Sequence, residues 1–105
     1  MVETGGKCIY EVGDSCLRPD IADEVRRRFG AIDVLIGPIN GAYGNMNEEE
    51  FAGFTHVIGP GLCIPCHYGM FAAHGGDPGR FCRIMRTEYP DQKVLLMAQG
   101  EILQL

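Results

Sequence analysis

The chain has 105 residues, 46% apolar and 22% charged, and its 9 basic against 14 acidic side chains give a net charge of −5. That length makes one domain, residues 1–105, with a single core, and the apolar share excludes a disordered segment. The acidic balance argues against nucleic-acid binding, and no apolar run is long enough to cross a bilayer or serve as a signal-peptide core, so the chain is expected to be cytoplasmic and off the membrane.

Lys7 to Val12 alternates weakly and reads as a strand ending at Gly13-Asp14-Ser15. Arg18-Pro19-Asp20 then starts a helix with proline in its first turn. Its apolar stripe is Ile21, Val25 and Phe29, and Gly30 stops it. Arg26-Arg27-Arg28 falls late in that helix, where positive charge suits the carbonyl end. Ile32 to Ile39 is a mostly apolar strand, followed by the loop Asn40-Gly41-Ala42-Tyr43-Gly44-Asn45.

Asn47 and Glu50 have capping-box spacing, and Glu48-Glu49-Glu50 occupies the first turn of the second helix. Phe51, Phe54 and Ile58 form its stripe, and Gly59-Pro60 ends it. Leu62 to Pro65 is the next strand. Asp77-Pro78 caps a third helix with Phe81, Ile84 and Met85 facing inward. Two last strands, Lys93 to Met97 and Glu101 to Leu105, flank Gln99-Gly100. The order β-α-β-α-β-α-β-β predicts an α/β layered domain with a largely parallel sheet.

Asp14, Asn40 and His67 each follow the carboxyl end of a predicted strand. Parallel strands would bring all three to one edge of the sheet, where open α/β sheets bind ligands. Each also has a plain structural reading. Asp14 can cap the turn into the first helix, Asn40-Gly41 is a turn dipeptide, and His67 can bond backbone within a packed loop. His74 and His56 read as surface residues.

Cys63-Ile64-Pro65-Cys66-His67 matches the attachment pattern of c-type haem and contains the Cys-x-x-Cys of redox proteins. Haem attachment needs an exported chain, and residues three apart on a strand point to opposite faces, so the two thiols should diverge. Cys66 and His67 are adjacent, which does not suit proton transfer between them. Cys8 and Cys16 match no familiar zinc knot with the later pair. Five cysteines, an odd number in a cytoplasmic chain, are expected to be reduced.

Several ordered stretches carry a resemblance to a known family. They are Tyr10-Glu11-Val12-Gly13-Asp14-Ser15, Ile32-Asp33-Val34-Leu35, Asn40 to Asn47, Ile64-Pro65-Cys66-His67-Tyr68-Gly69-Met70-Phe71 and Gly76-Asp77-Pro78. Together they resemble the C-terminal half of a metallo-β-lactamase-fold hydrolase, in the branch of the ascorbate-6-phosphate lactonases. The resemblance implies half of a four-layer αββα sandwich. It implies Asp14 and His67 as metal ligands for zinc or manganese, with Asn40, Tyr68 and Asp77 on the substrate side. It also implies hydrolysis of a small ester, lactone or phosphorylated sugar-like substrate by metal-activated water.

The family's His-x-His-x-Asp-His cluster is missing from the sequence. One carboxylate and one imidazole fall short of the three protein ligands a catalytic zinc ordinarily has. The isolated chain is therefore expected to be inactive. The alternative is a non-catalytic structural or interaction domain that retains the fold. Half of a sandwich should also leave one sheet face bare, which predicts a homo-oligomer or a separate N-terminal half as partner.

Overall fold

In the computed structural model, which describes residues 1–14, 16–68, 75–98 and 100–104, the chain opens with a hairpin. Gly5 and Gly6, with φ of 55° and 76°, supply the left-handed backbone of a two-residue turn. They fold β1 (Val2–Thr4) antiparallel onto β2 (Lys7–Glu11), with Thr4 opposite Lys7. From β2 onward the strands run parallel. β3 (Val34–Pro38) pairs with β2, and β4 (Leu62–Cys66) pairs with β3, giving the order β1-β2-β3-β4. Asp33 pins the start of this register, because its Oδ2 accepts the Cys8 N–H at 2.7 Å.

Three helices make the second layer. α1 (Pro19–Phe29) ends at Gly30, whose N–H bonds the Arg26 carbonyl, with Arg26, Arg27 and Arg28 in its last turn. α2 (Glu48–Ile58) starts from a formed capping box: Asn47 Oδ1 accepts from Glu50 N, and Glu50 Oε1 accepts from Asn47 N. α3 (Pro78–Glu88) starts at Asp77, whose Oδ1 accepts from Arg80 N at 3.1 Å. α2 packs against α1, α3 and β3, so it occupies the middle of the helical layer.

The core lies between α2 and the sheet. Leu35, Phe51, Phe81 and Cys63 are fully enclosed, and Phe54, Ile58 and Met85 nearly so. Gly37 makes this packing possible, since a Cβ there would overlap the Phe51 ring. The expected stripe of α2 is buried, and in α3 Phe81 and Met85 are buried while Ile84 is half-buried. That of α1 differs: Ala22 is its buried residue and Phe29 is 42% exposed. α1 packs on α2 instead of the sheet, and the small Ala22 fits that crossing.

The element order is corrected at both ends. The N-terminal strand β1 precedes the expected first strand, and the expected final pair is absent among the described residues. Val94 makes a single parallel bridge to Cys63, through Cys63 N to Lys93 O and Leu95 N to Cys63 O. Residues 101–104 are exposed and form no strand. The expectation of half a four-layer sandwich is corrected too. The described residues form one compact α/β sandwich domain, with a radius of gyration of 13.0 Å, against about 12.9 Å for a compact domain of this length.

The second sheet face is partly covered. Val34 and Ile64, which alternate with the core-facing Leu35 and Cys63, are only 4% and 7% exposed within the single chain, and Ile36 and Leu62 beside them are half-buried. The bare face that would oblige a second half or self-association is therefore not found among the described residues.

Candidate functional site

The carboxyl edge of the parallel strands collects the polar residues singled out in the sequence. Asp14 lies just beyond β2, Asn40 beyond β3 and His67 beyond β4. The outer two strands of this trio stand about 10 Å apart. Asp14 and His67 nonetheless meet: His67 Nε2 is 3.2 Å from Asp14 Oδ1, with 37% and 75% of the two side chains in solvent. His67 leaves β4 with φ of 61°, in the left-handed region uncommon for a residue with a side chain. Gly76 is packed behind it, where a Cβ would lie 2.6 Å from the His67 carbonyl oxygen.

The other residues of the edge have structural partners. Asn40 bridges backbone with Asn47, closing the glycine-rich loop over the buried Met46. Its Oδ1 is enclosed with no hydrogen-bond partner among the described residues. Tyr68 donates its hydroxyl proton to the Met97 carbonyl at 2.9 Å, and burial raises its pKa. Asp77 is the N-cap of α3. His74 lies outside the described residues. His56 is exposed on α2 and stacks on Tyr89 at 4.6 Å between ring centroids.

Two residues with structural roles are not singled out by the sequence reading. Asp33, at the amino ends of the strands, holds β2 to β3, as described above. Glu48 reads in the sequence only as a first-turn acid. In the fold it is buried, accepts the Asp77 N–H at 3.0 Å and faces Arg80 at 3.8 Å, so it ties the start of α2 to the start of α3. No sequence spacing signals a contact across 29 residues.

The thiols sit in surroundings that keep them protonated. Cys63 is enclosed in the core beside Thr55 Oγ1 at 3.4 Å, and burial pushes it up to about 12. Cys66 is pushed up to about 11, by burial first and then by Glu11 and Asp14. The two thiols occupy opposite faces of β4, and neither environment favours the thiolate that redox or nucleophilic chemistry needs. Cys8, Cys63, Cys66 and Cys82 are unbridged.

The divalent metal implied by the resemblance can be tested against these donors. Asp14 and His67 supply one carboxylate and one imidazole, and they turn their donor atoms toward each other. Among the described residues, no group of three or more His, Cys, Asp or Glu side chains could hold a metal ion. The residues present do not fit a catalytic centre that ordinarily has three protein ligands.

With this geometry in view, comparison with known proteins is informative. No protein-family model matches the chain. A protein described as a UPF0173 metal-dependent hydrolase from Heliobacterium modesticaldum is 30% identical over 107 residues, covering all of this chain and 44% of that protein. A protein of the same description from Deinococcus radiodurans is 34% identical over 109 residues, again covering all of this chain and 44% of the relative. Among solved structures, a metallo hydrolase from Ignicoccus hospitalis superposes with a TM-score of 0.75 and 27% identity, covering 94% of this chain and 41% of that one. The metallo-beta-lactamase fold protein YhfI from Bacillus subtilis gives 0.70 and 20%, covering 93% and 39%.

The fold is shared with those two structures. The chain spans less than half the length of the curated relatives it matches.

These findings correct the expectations drawn from the resemblance. The similarity runs across the whole of this chain, whose described residues pack as one compact α/β domain in place of the expected half of a four-layer sandwich awaiting a separate N-terminal half. The relatives are described as metal-dependent hydrolases. A metal-binding hydrolase site in this chain is not supported, because the described donors are too few. No helix among the described residues is long and apolar enough to cross a membrane.

Proposed function

We propose that this chain is a non-catalytic structural or interaction domain that retains a metallo-β-lactamase-like fold. The donor set carries this reading: two potential ligands, Asp14 and His67, paired with each other at 3.2 Å, and no third donor gathered beside them among the described residues. An exposed carboxylate–imidazole pair holds a loop end in place without chemistry at a metal. Asn40, Tyr68 and Asp77 stand along the same edge, and on this reading they serve the packing of loops and helix starts instead of a substrate. The packing supports this division, because Tyr68 and Asp77 are committed to Met97 and to the start of α3.

Calorimetric titration with zinc and with manganese, the two metals implied by the resemblance, tests the proposal. The expected result is no stoichiometric uptake of either ion at micromolar concentration. Tight one-to-one or two-to-one binding, abolished by Asp14→Ala, would overturn it.

A further inference from the structure

The loop that closes over Met46 carries the most reactive amide of the chain. Of the three asparagines, Asn45 precedes methionine and Asn47 precedes glutamate, whereas Asn40 precedes Gly41. An asparagine loses its amide when the backbone nitrogen of the next residue attacks the side-chain carbonyl carbon. Glycine, with no Cβ, obstructs that attack least and leaves the backbone freest to adopt the geometry. Asn40-Gly41 is the pair in this sequence that meets both conditions.

The fold opposes the attack at the atoms that it needs. Gly41 N donates its proton to the Met46 carbonyl at 3.0 Å, and a hydrogen bond made by the protonated form resists the deprotonation that creates the nucleophile. Asn40 and Asn47 pair as an antiparallel bridge, which holds the backbone extended. Ring closure requires the Gly41 nitrogen to swing out of that line toward the side chain. Gly41 also lies against the bridge partner, since a Cβ there would come within 2.9 Å of Asn47 Cβ. Asn40 Oδ1 is enclosed, away from the water that hydrolysis needs. Buried Met46 and the Asn47 cap of α2 hold these contacts together.

We propose that Asn40 is a modification site gated by this loop: it deamidates when residues 40–47 open, and the product holds the loop open. In the open loop a bond forms from Gly41 N to Asn40 Cγ, the Cγ–Nδ2 bond breaks, and ammonia leaves with the proton from Gly41 N. Solvent water then opens the cyclic imide at one of its two carbonyls. The products are aspartate, or the isomer whose backbone runs through the side-chain carbon. Neither suits the closed loop. Aspartate puts a charge at the enclosed Oδ1 position, and the isomer adds a carbon to the backbone that pairs with Asn47. The gate does not depend on how Asp14 and His67 are read.

Incubation of the chain at neutral pH, folded or in guanidinium chloride, followed by peptide mapping in a mass spectrometer, tests the gate. Deamidation at Asn40 should be slower by about tenfold or more in the folded chain, a factor that a modest free energy of local opening supplies. Met46→Ala leaves the reacting pair intact, empties a buried position and should speed the folded-state reaction about tenfold. Asn47→Ala removes only the cap, serves if the first variant does not fold, and should speed the reaction about fivefold. Neither change should alter the rate in guanidinium chloride. The deamidated chain, separated by its added negative charge, and Asn40→Asp should both exchange the amides of Gly41 and Asn45 about tenfold faster than the parent. Equal rates in the folded and unfolded parent, folded-state rates unmoved by loosening the loop, or parent-like amide exchange in the deamidated chain would each overturn the proposal.

Discussion

The helix-covered face of the sheet and its polar carboxyl edge are built from the same strands but held by different physics. On the face, Gly37 yields its side-chain space to Phe51, which stacks on Phe81 with centroids 5.6 Å apart. Nothing there can move without its neighbours. At the edge, Asp14 and His67 touch across a gap open to solvent, where an ion pair contributes little. The face specifies the fold, and the edge is free to change. A sequence can therefore keep a fold closely while the described residues of its polar edge gather too few donors for a metal site.

The largest expected effect lies on the face. Phe51→Ala should cost about 3–5 kcal/mol in urea denaturation, because it empties a fully buried position. Gly37→Ala should cost about 1–3 kcal/mol by overpacking the same contact. Combining Gly37→Ala with Phe51→Leu should recover part of that loss. Additive costs in the double variant would show that the glycine and the ring are not coupled, and would break the contrast with the edge.

The next effect is a pH dependence that separates the two regions. The Cys63 thiol, in the core, is pushed up to about 12, and Cys66, nearer the edge, to about 11. An unfolded chain ionises its thiols near about 8.5. Above that pH the unfolded state has lost protons that the folded state still holds, so stability falls as pH rises. It should be fully present below about pH 8.5 and decline through pH 11 to 12. Cys63→Ala should flatten the decline over the whole span from about pH 8.5 up to about 12, and Cys66→Ala only up to about 11, read as urea midpoints measured at each pH. Identical slopes in both variants and the parent chain would contradict the burial argument.

Much of this architecture is legible in the sequence where one short-range rule decides. The Asn47–Glu50 capping box, the Asp77-Pro78 helix start and the Phe51/Phe54/Ile58 stripe each rest on spacing within a single element, and each appears as read. The misses arise where a partner decides. β1 is three residues long, and its signal was the Gly5-Gly6 turn rather than any hydrophobic pattern. Lys93 to Met97 has strand-like composition but finds one bridging partner at the edge of β4. Phe29 keeps the helical period of α1, yet lies outward because α1 packs on another helix.

At the site, position was readable and chemistry was not. Strand order alone places Asp14, Asn40 and His67 on one edge. Whether two donors bind an ion or each other depends on a third group that no local pattern reveals. The half-sandwich expectation fails for a related reason: it is inferred from a missing motif, which does not decide whether Val34 and Ile64 are buried within the chain.

A smaller effect sharpens the comparison on the helical side. Gly53→Ala should stabilise the chain by about 0.5–1 kcal/mol, since the added methyl meets open space and alanine favours the helix. The same exchange of glycine for alanine should thus have opposite signs at positions 37 and 53. A loss of stability at Gly53 would mean that α1 and α2 approach more closely in solution.

The smallest expected effect is at the edge itself. The Asp14–His67 pair is exposed enough that replacing both residues by alanine should change stability by less than about 1 kcal/mol, the usual range for solvated ion pairs. Relief of backbone strain does not enter, because alanine at position 67 would occupy the same left-handed conformation as His67. The decisive measurement compares the parent and the Asp14→Ala/His67→Ala variant in urea, with excess zinc and with chelator. A metal that bound only the folded parent at one hundred times its dissociation constant would add about 2.7 kcal/mol, and that increment would vanish in chelator and in the variant. If the two residues only hold each other, the difference between parent and variant stays small and equal in both solutions. A zinc-dependent gap of several kcal/mol would restore the metal site to the edge and withdraw the distinction drawn here between a fixed face and a dispensable edge.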